Sequence, residues 1–307
     1  MSHSHSHGGN RHDGRGGNYN RAFVVSVALN TSFVIIEAVY GIVANSLALL
    51  ADAGHNLSDV LGLLLAWGAS ILVRRRPTAR RTFGLRRSSI LAALLNAAFL
   101  LVVSGGIGWE AIQRFRSPAP VEGVTVITVA AIGVAINTLS ALMFLSGRKN
   151  DLNIRGAFLH LMADAAVSVG VVFAGIAILI TGKLWFDPAV SLIVTVVIVA
   201  GTWGLLQDSL NLITDAVPEN IEPLAVRLYL SELPGVSSVH DLHIWAMSTT
   251  ETALTAHLIM PEGHPGDAFL ARVNDELHDN FSIEHTTLQI EFGDADYPCL
   301  RANEGEI

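Results

Sequence analysis

Cysteine is nearly absent from this 307-residue chain. The single one, Cys299, excludes both an internal disulfide framework and a Cys-rich metal cluster. Charge is scarce as well: 15% of residues are Asp, Glu, Lys or Arg, against roughly 25% in soluble domains. Hydrophobic residues make up 51%, and the mean hydropathy is +0.47. The length alone would allow two soluble domains, but so little charge in such long apolar runs excludes that reading. The first residues also lack the short apolar segment and small-residue cleavage site of a signal peptide. Membrane insertion is therefore expected to begin with the first apolar helix itself.

The charge that is present is unevenly placed. From Asn211 onward there are 17 acidic residues and 3 basic ones, whereas the first 210 residues hold 10 acids and 16 bases. The sequence therefore predicts three parts: a His-rich flexible tail (1–20), a membrane domain (21–210) and an acidic, soluble C-terminal domain (211–307). No exposed basic face is available in the soluble part, which argues against a nucleic-acid partner.

A bilayer core takes about 20 mostly apolar residues per helix. Six stretches satisfy this: about Ala22–Val43, Leu47–Val73, Ser89–Ile112, Val121–Leu145, Ile154–Thr181 and Pro188–Leu210. The loops alternate in charge. Arg74, Arg75, Arg76, Arg80, Arg81, Arg86 and Arg87 crowd one loop, and Arg148, Lys149 and Arg155 another. The opposite loops carry only Arg114, Arg116 and Lys183. By the positive-inside rule both termini are expected in the cytoplasm of a plasma or bacterial inner membrane, with lipid around the six helices.

Most of these stretches are bland. The exceptions are Asp52, His55 and Asp59 in the second, His160 and Asp164 in the fifth, and Glu37 in the first. Asn30, Asn96 and Asn137 read as interhelical hydrogen-bonding residues. His55 and Asp59 are four apart and so share one helix face, and His160 and Asp164 repeat the spacing. An Asp at the bilayer centre costs about 2.5–3.5 kcal/mol, so the three Asp and two His together cost on the order of 10 kcal/mol. That rivals the roughly 5–15 kcal/mol of net stability of a fold. These groups must be paired, solvated or bound to a cation.

Two imidazoles and two carboxylates make a four-donor set that suits tetrahedral Zn2+. Mg2+ or Ca2+ would call for oxygen donors alone, and Cu+ for Cys or Met. Each His–Asp pair could instead be an intrahelical hydrogen bond. Asp52, one turn before His55, reads either as a partner that holds the imidazole tautomer or as part of a water-filled entrance. Glu37 reads either as a proton carrier or as a group facing a polar neighbour.

The segment Gly-x-x-x-Asn-Ser-Leu-Ala-Leu-Leu-Ala-Asp-Ala-x-His-x-Leu-x-Asp (Gly41–Asp59), the second His-x-x-x-Asp (His160–Asp164) and the run Arg80-Arg-Thr-Phe-Gly-Leu-Arg-Arg87 resemble the cation diffusion facilitator family. The resemblance extends over nearly all of residues 19–292. It implies a homodimeric metal/proton antiporter with six spans, a cytoplasmic C-terminal domain and alternating access. It also places the transport site on His55, Asp59, His160 and Asp164. The paired His positions resemble the zinc-type branch, with Cd2+ and Co2+ tolerated.

Beyond the spans, the pattern predicts a helix at Glu219–Leu233, strands at Val236–Ser248 and Glu251–Met260, a helix at Gly266–Asn280 and a strand at His285–Glu291. This αββαβ order resembles the family's ferredoxin-like cytoplasmic domain. By position, His240, His257, His285 and Glu291 match places that hold metal there in some members, and each could equally be an ordinary surface residue. Strand alternation sets His240 and His243 on opposite faces. The tract with His3, His5, His7 and His12 reads as a weak metal binder or an expression remnant.

Two other function classes remain to be weighed. A membrane zinc hydrolase would need an open coordination position and a general base beside the metal, yet no Glu adjoins either membrane His. A metal sensor would not need buried membrane ligands.

Overall fold

The computed structural model describes residues 16–73, 75–145 and 152–294. The tract with His3, His5, His7 and His12, together with Arg74, Arg148, Lys149 and Cys299, lies outside the described residues.

Six long helices come first: α1 (Gly16–Val43), α2 (Leu47–Val73), α3 (Ser88–Arg116), α4 (Gly123–Phe144), α5 (Leu152–Thr181) and α6 (Phe186–Ile213). Five of them, α2 to α6, are long and apolar enough to cross a membrane, and α1 adds the apolar stretch Val27–Val43. Their side chains leave many large apolar groups outward, among them Ile42, Trp67, Val102, Ile180 and Val196. In water such a surface would be an aggregation hazard; against lipid tails it carries no penalty. Backbone groups in the interior of a helix are satisfied within the helix, which is what a span requires.

The C-terminal elements follow as α7 (Pro223–Ser231), β1 (Ser238–Ala246), β2 (Thr252–Ile259), α8 (Asp267–Phe281) and β3 (His285–Glu291). The order αββαβ is as the sequence predicts, and the ends shift by a few residues where capping decides them. Pro223 opens α7, with Glu222 accepting from the Leu224 amide, because Pro is pre-set for a first helical position.

By contacts the chain falls into two compact units. Among the described residues, one holds 16–61 with 99–145 and 152–202; the other holds 62–73, 75–98 and 203–294. In the first, Phe33, Leu49, Val126, Val129 and Val171 form a core joining α1, α2, α4 and α5. The α4–α5 contact is close because it is lined by glycine: a Cβ on Gly175 would stand 2.7 Å from Ile127 Cγ1 and 3.2 Å from the Gly123 carbonyl oxygen. Small residues of this kind let membrane helices approach backbone to backbone, and here they fix the helix that carries His160 and Asp164.

The second unit is built on a mixed sheet in the order β1-β2-β3, with β1 and β2 antiparallel and β2 and β3 parallel. Leu254, Ala256 and Leu258 of β2 pack with Val226, Leu230, Val273 and Leu277 of α7 and α8. Alternation then assigns Thr255 and His257 to the opposite sheet face. The arginine-rich loop belongs to this unit. Arg86 reaches Glu251 at 2.9 Å, and Arg87 pairs with Asp215.

Candidate metal centres

Helix α2 enters through a fixed turn. Asn45 takes a positive φ of 53°, and its carbonyl and side-chain oxygens accept from Arg114 at 2.5 and 2.7 Å. Asp187, fully buried, then caps α2: it accepts from the amides of Leu47 at 2.8 Å and Ala48 at 3.3 Å and from the Ser46 hydroxyl. A carboxylate suits this place because the first amides of a helix lack partners and the helix dipole is positive there. The sequence reading missed Asp187, Ser46 and Arg114. The only signal was an acid at the head of an otherwise apolar span.

Two turns further along α2, His55 and Asp59 face His160 and Asp164 of α5. His55 Nε2 lies 3.4 Å from Asp164 Oδ1 and 3.8 Å from Asp59 Oδ2. His160 Nε2 lies 3.3 Å from Asp59 Oδ2 and 3.6 Å from Asp164 Oδ2. The shorter distance of each His is the one that crosses between helices. The intrahelical separations are too long for good hydrogen bonds, so the reading of two self-contained pairs does not hold.

These separations run through five atoms, because Asp164 faces His55 with Oδ1 and His160 with Oδ2. Each is near the roughly 3.3–3.6 Å that zinc bonds of about 2.0–2.2 Å would set between neighbouring donors of a tetrahedron. Asp164 Oδ1 is buried without a hydrogen bond, which leaves its lone pairs free for a cation. His55, Asp59 and Asp164 bring ligand atoms within 4.8 Å of one another, and the more exposed His160 approaches Asp59 and Asp164.

Asp52 takes neither role expected of it. It is fully buried, so it lines no water-filled entrance. It does not hold His55 either, because His55 Nδ1 has no hydrogen-bond partner. Asp52 Oδ2 instead accepts from Ser168 at 2.7 Å, and Oδ1 from Asn56 at 3.5 Å. Asn56 also donates to Glu37 Oε2 at 3.2 Å, and Glu37 is itself fully buried. Asn137 departs from its expected role too, since both of its amide atoms are buried without a partner.

A second cluster lies on the sheet. His257 Nδ1 is 2.8 Å from Glu291 Oε1, and His240 Nε2 is 3.4 Å from Glu291 Oε2. The register explains the grouping: His240 stands opposite His257, and Ile259, two residues on from His257, stands opposite Glu291. His240, His257 and Glu291 bring ligand atoms within 4.8 Å of one another.

Two expectations change here. His285 stands opposite Ala253, six residues from Glu291 along β3, and packs edge-on to Phe83 instead. At about 3.3 Å per residue that is far outside any shared coordination sphere. Second, a bulge between His240 and His243 removes the alternation, so His243 returns to the face of Thr255. The bulge also turns Asp241, at a φ of 50°, toward His257 Nε2 at 3.4 Å and His243 Nε2 at 3.0 Å. Asp241 joins the cluster's edge, and no pattern in the sequence marks a bulge there.

With both clusters described, the relatives can be set beside them. Residues 23–214 match the family of the cation efflux transmembrane domain, and residues 218–292 match the cation efflux protein, cytoplasmic domain. The chain belongs to the cation diffusion facilitator family of cation efflux transporters. It is 38% identical to the zinc transporter ZitB of Escherichia coli over 307 residues, covering 99% of this chain and 97% of that protein. It is 37% identical to the metal cation efflux system protein CzcD of Cupriavidus metallidurans over 299 residues, covering 97% and 93%. It is also 37% identical to a cadmium, cobalt and zinc/H(+)-K(+) antiporter of Bacillus velezensis over 288 residues, covering 92% of each. A cation efflux transporter is a multi-pass membrane protein, as the apolar helices require, and not an enzyme. The hydrolase reading falls with that.

Proposed function

We propose that this cation diffusion facilitator exports Zn2+ in exchange for protons, and accepts Cd2+ and Co2+ less readily. One observation carries the reading: the imidazoles of His55 on α2 and His160 on α5 each stand 3.3–3.8 Å from the carboxylates of both Asp59 and Asp164. The names of the relatives support zinc, cadmium and cobalt as the substrate class.

The donor set suggests how exchange is driven. Metal binding needs neutral His and ionised Asp, so binding releases protons and protonation releases metal. Each proton moving down a one-unit pH gradient supplies about 1.4 kcal/mol, which shifts a binding equilibrium roughly tenfold. Because the ligands sit on two helices, tilting α2 against α5 opens the centre to one side or the other. We place both termini in the cytoplasm, residues 21–210 in transport, and residues 211–307 in a regulatory domain that pairs two copies and holds metal at His240, His257 and Glu291.

The test is zinc uptake into liposomes that carry a zinc-sensitive dye, with and without an imposed pH gradient. Flux is expected to rise with the gradient and to be lost in His55→Ala. Flux indifferent to the gradient would defeat proton exchange, and flux that survives His55→Ala would move the site elsewhere.

A further inference from the structure

Next to the four-donor centre, two acidic side chains lie where no cation meets them. Glu37 of α1 and Asp52 of α2 are each fully buried. Their carboxyl groups converge on the side chain of Asn56. One amide nitrogen, Nδ2 of Asn56, donates to both. Ser168 donates to the far side of Asp52, and Glu37 Oε1 has no partner.

Asp164 of α5 adds negative charge near the pair, and His55 of α2 is a basic group beside it. Helix α4, packed on α1, has no titratable residue. Two carboxylates cannot both stay ionised at such a distance in a low-dielectric interior.

We propose that Glu37 and Asp52 form a shared proton-binding site, separate from the metal ligands, that gives up its proton when a divalent cation occupies the adjacent centre. Asp52 precedes His55 by one helical turn, so the dication acts on the pair at short range and favours its fully ionised form. When the cation leaves, the uncompensated charge of the pair takes a proton back. The exchange ratio is thereby set partly off the metal site, and one proton per ion passes through this pair. The inference rests on the transport reading above.

Two measurements on the full-length protein in detergent test it. The first counts protons released per Zn2+ bound, with a pH indicator in weak buffer. Wild type is expected to release about one more proton per ion than the Glu37→Gln/Asp52→Asn variant, which keeps shape and hydrogen-bonding capacity. Equal release from both would overturn the proposal. The second needs no variant. Infrared difference spectra of wild type, zinc-bound minus zinc-free, are expected to show loss of one protonated-carboxyl carbonyl band, and no loss would overturn the proposal even if the double variant failed to fold. Absence of zinc flux in wild type would instead defeat the transport reading, so the two failures are distinguishable.

Discussion

The membrane and the sheet each hold two His with carboxylates, yet the two clusters are built differently. In the membrane the donors come as His–x–x–x–Asp on α2 and α5, and each His lies nearer to the carboxylate of the other helix. On the sheet the donors lie on β1, β2 and β3, whose backbones are tied by ladder hydrogen bonds. Helices can tilt against each other on the microsecond-to-millisecond scale of collective motion, while strands in a common ladder cannot separate without breaking it. The first arrangement suits an ion that must enter and leave; the second suits an ion that stays and stiffens a domain.

The largest effect should come from the membrane cluster. Asp164 is almost fully buried and faces both imidazoles. Asp164→Asn keeps its volume but removes a charge and a ligand, so zinc flux in liposomes is expected to fall at least about 100-fold, beyond the 10–100-fold typical of losing an outer-shell partner. Zinc bound per chain should fall by one while the sheet cluster keeps its ion. Loss of both ions together would mean that the two clusters are not independent.

Next comes the cap that aims α2. Asp187→Ala leaves the Leu47 and Ala48 amides and the Ser46 hydroxyl without their acceptor, and leaves Arg114 without the carboxylate 4.0 Å away. Losing a cap costs about 0.5–2 kcal/mol, and buried unsatisfied groups add to that. A clear drop in thermal unfolding temperature in detergent is expected, with the zinc-binding donors untouched. Unchanged stability would mean that α2 is held by packing alone, and that the difference in mobility between the clusters does not depend on this anchor.

The two clusters also differ in how far they could be read from sequence. His55, Asp59, His160 and Asp164 stood out because helical spacing is rigid: four apart means one face, and a charge in an apolar span needs a reason. The six spans and the αββαβ order were legible for the same kind of reason. Strand registers are not written in local spacing. His285 looked equivalent to His257 until the parallel register put it opposite Ala253, and Asp241 entered only because a bulge turned it inward. Glu37 and Asp52 were visible as oddities, but their pairing through Asn56 depends on the approach of α1 to α2, which no periodicity encodes. Asp187 was hidden for a like reason, since it caps a helix 140 residues earlier in the chain.

The smallest expected effect concerns the sheet cluster and bears most directly on the comparison. His257 meets Glu291 through Nδ1 and Asp241 through Nε2, so it is the hub on which three strands converge. His257→Ala removes the hub without disturbing Leu254, Ala256 and Leu258, which fill the core on the other face. Metal analysis by mass spectrometry is then expected to show one zinc fewer per chain, with flux at saturating zinc reduced no more than about threefold, well under the 1.4 kcal/mol that a factor of ten represents. If flux collapsed as far as in Asp164→Asn, the sheet ion would be part of the transport cycle and the division between a mobile site and a fixed one would be wrong. If bound zinc did not change, the three strands would hold only a network of His–carboxylate hydrogen bonds, and stiffening by metal would have to be sought elsewhere in the domain.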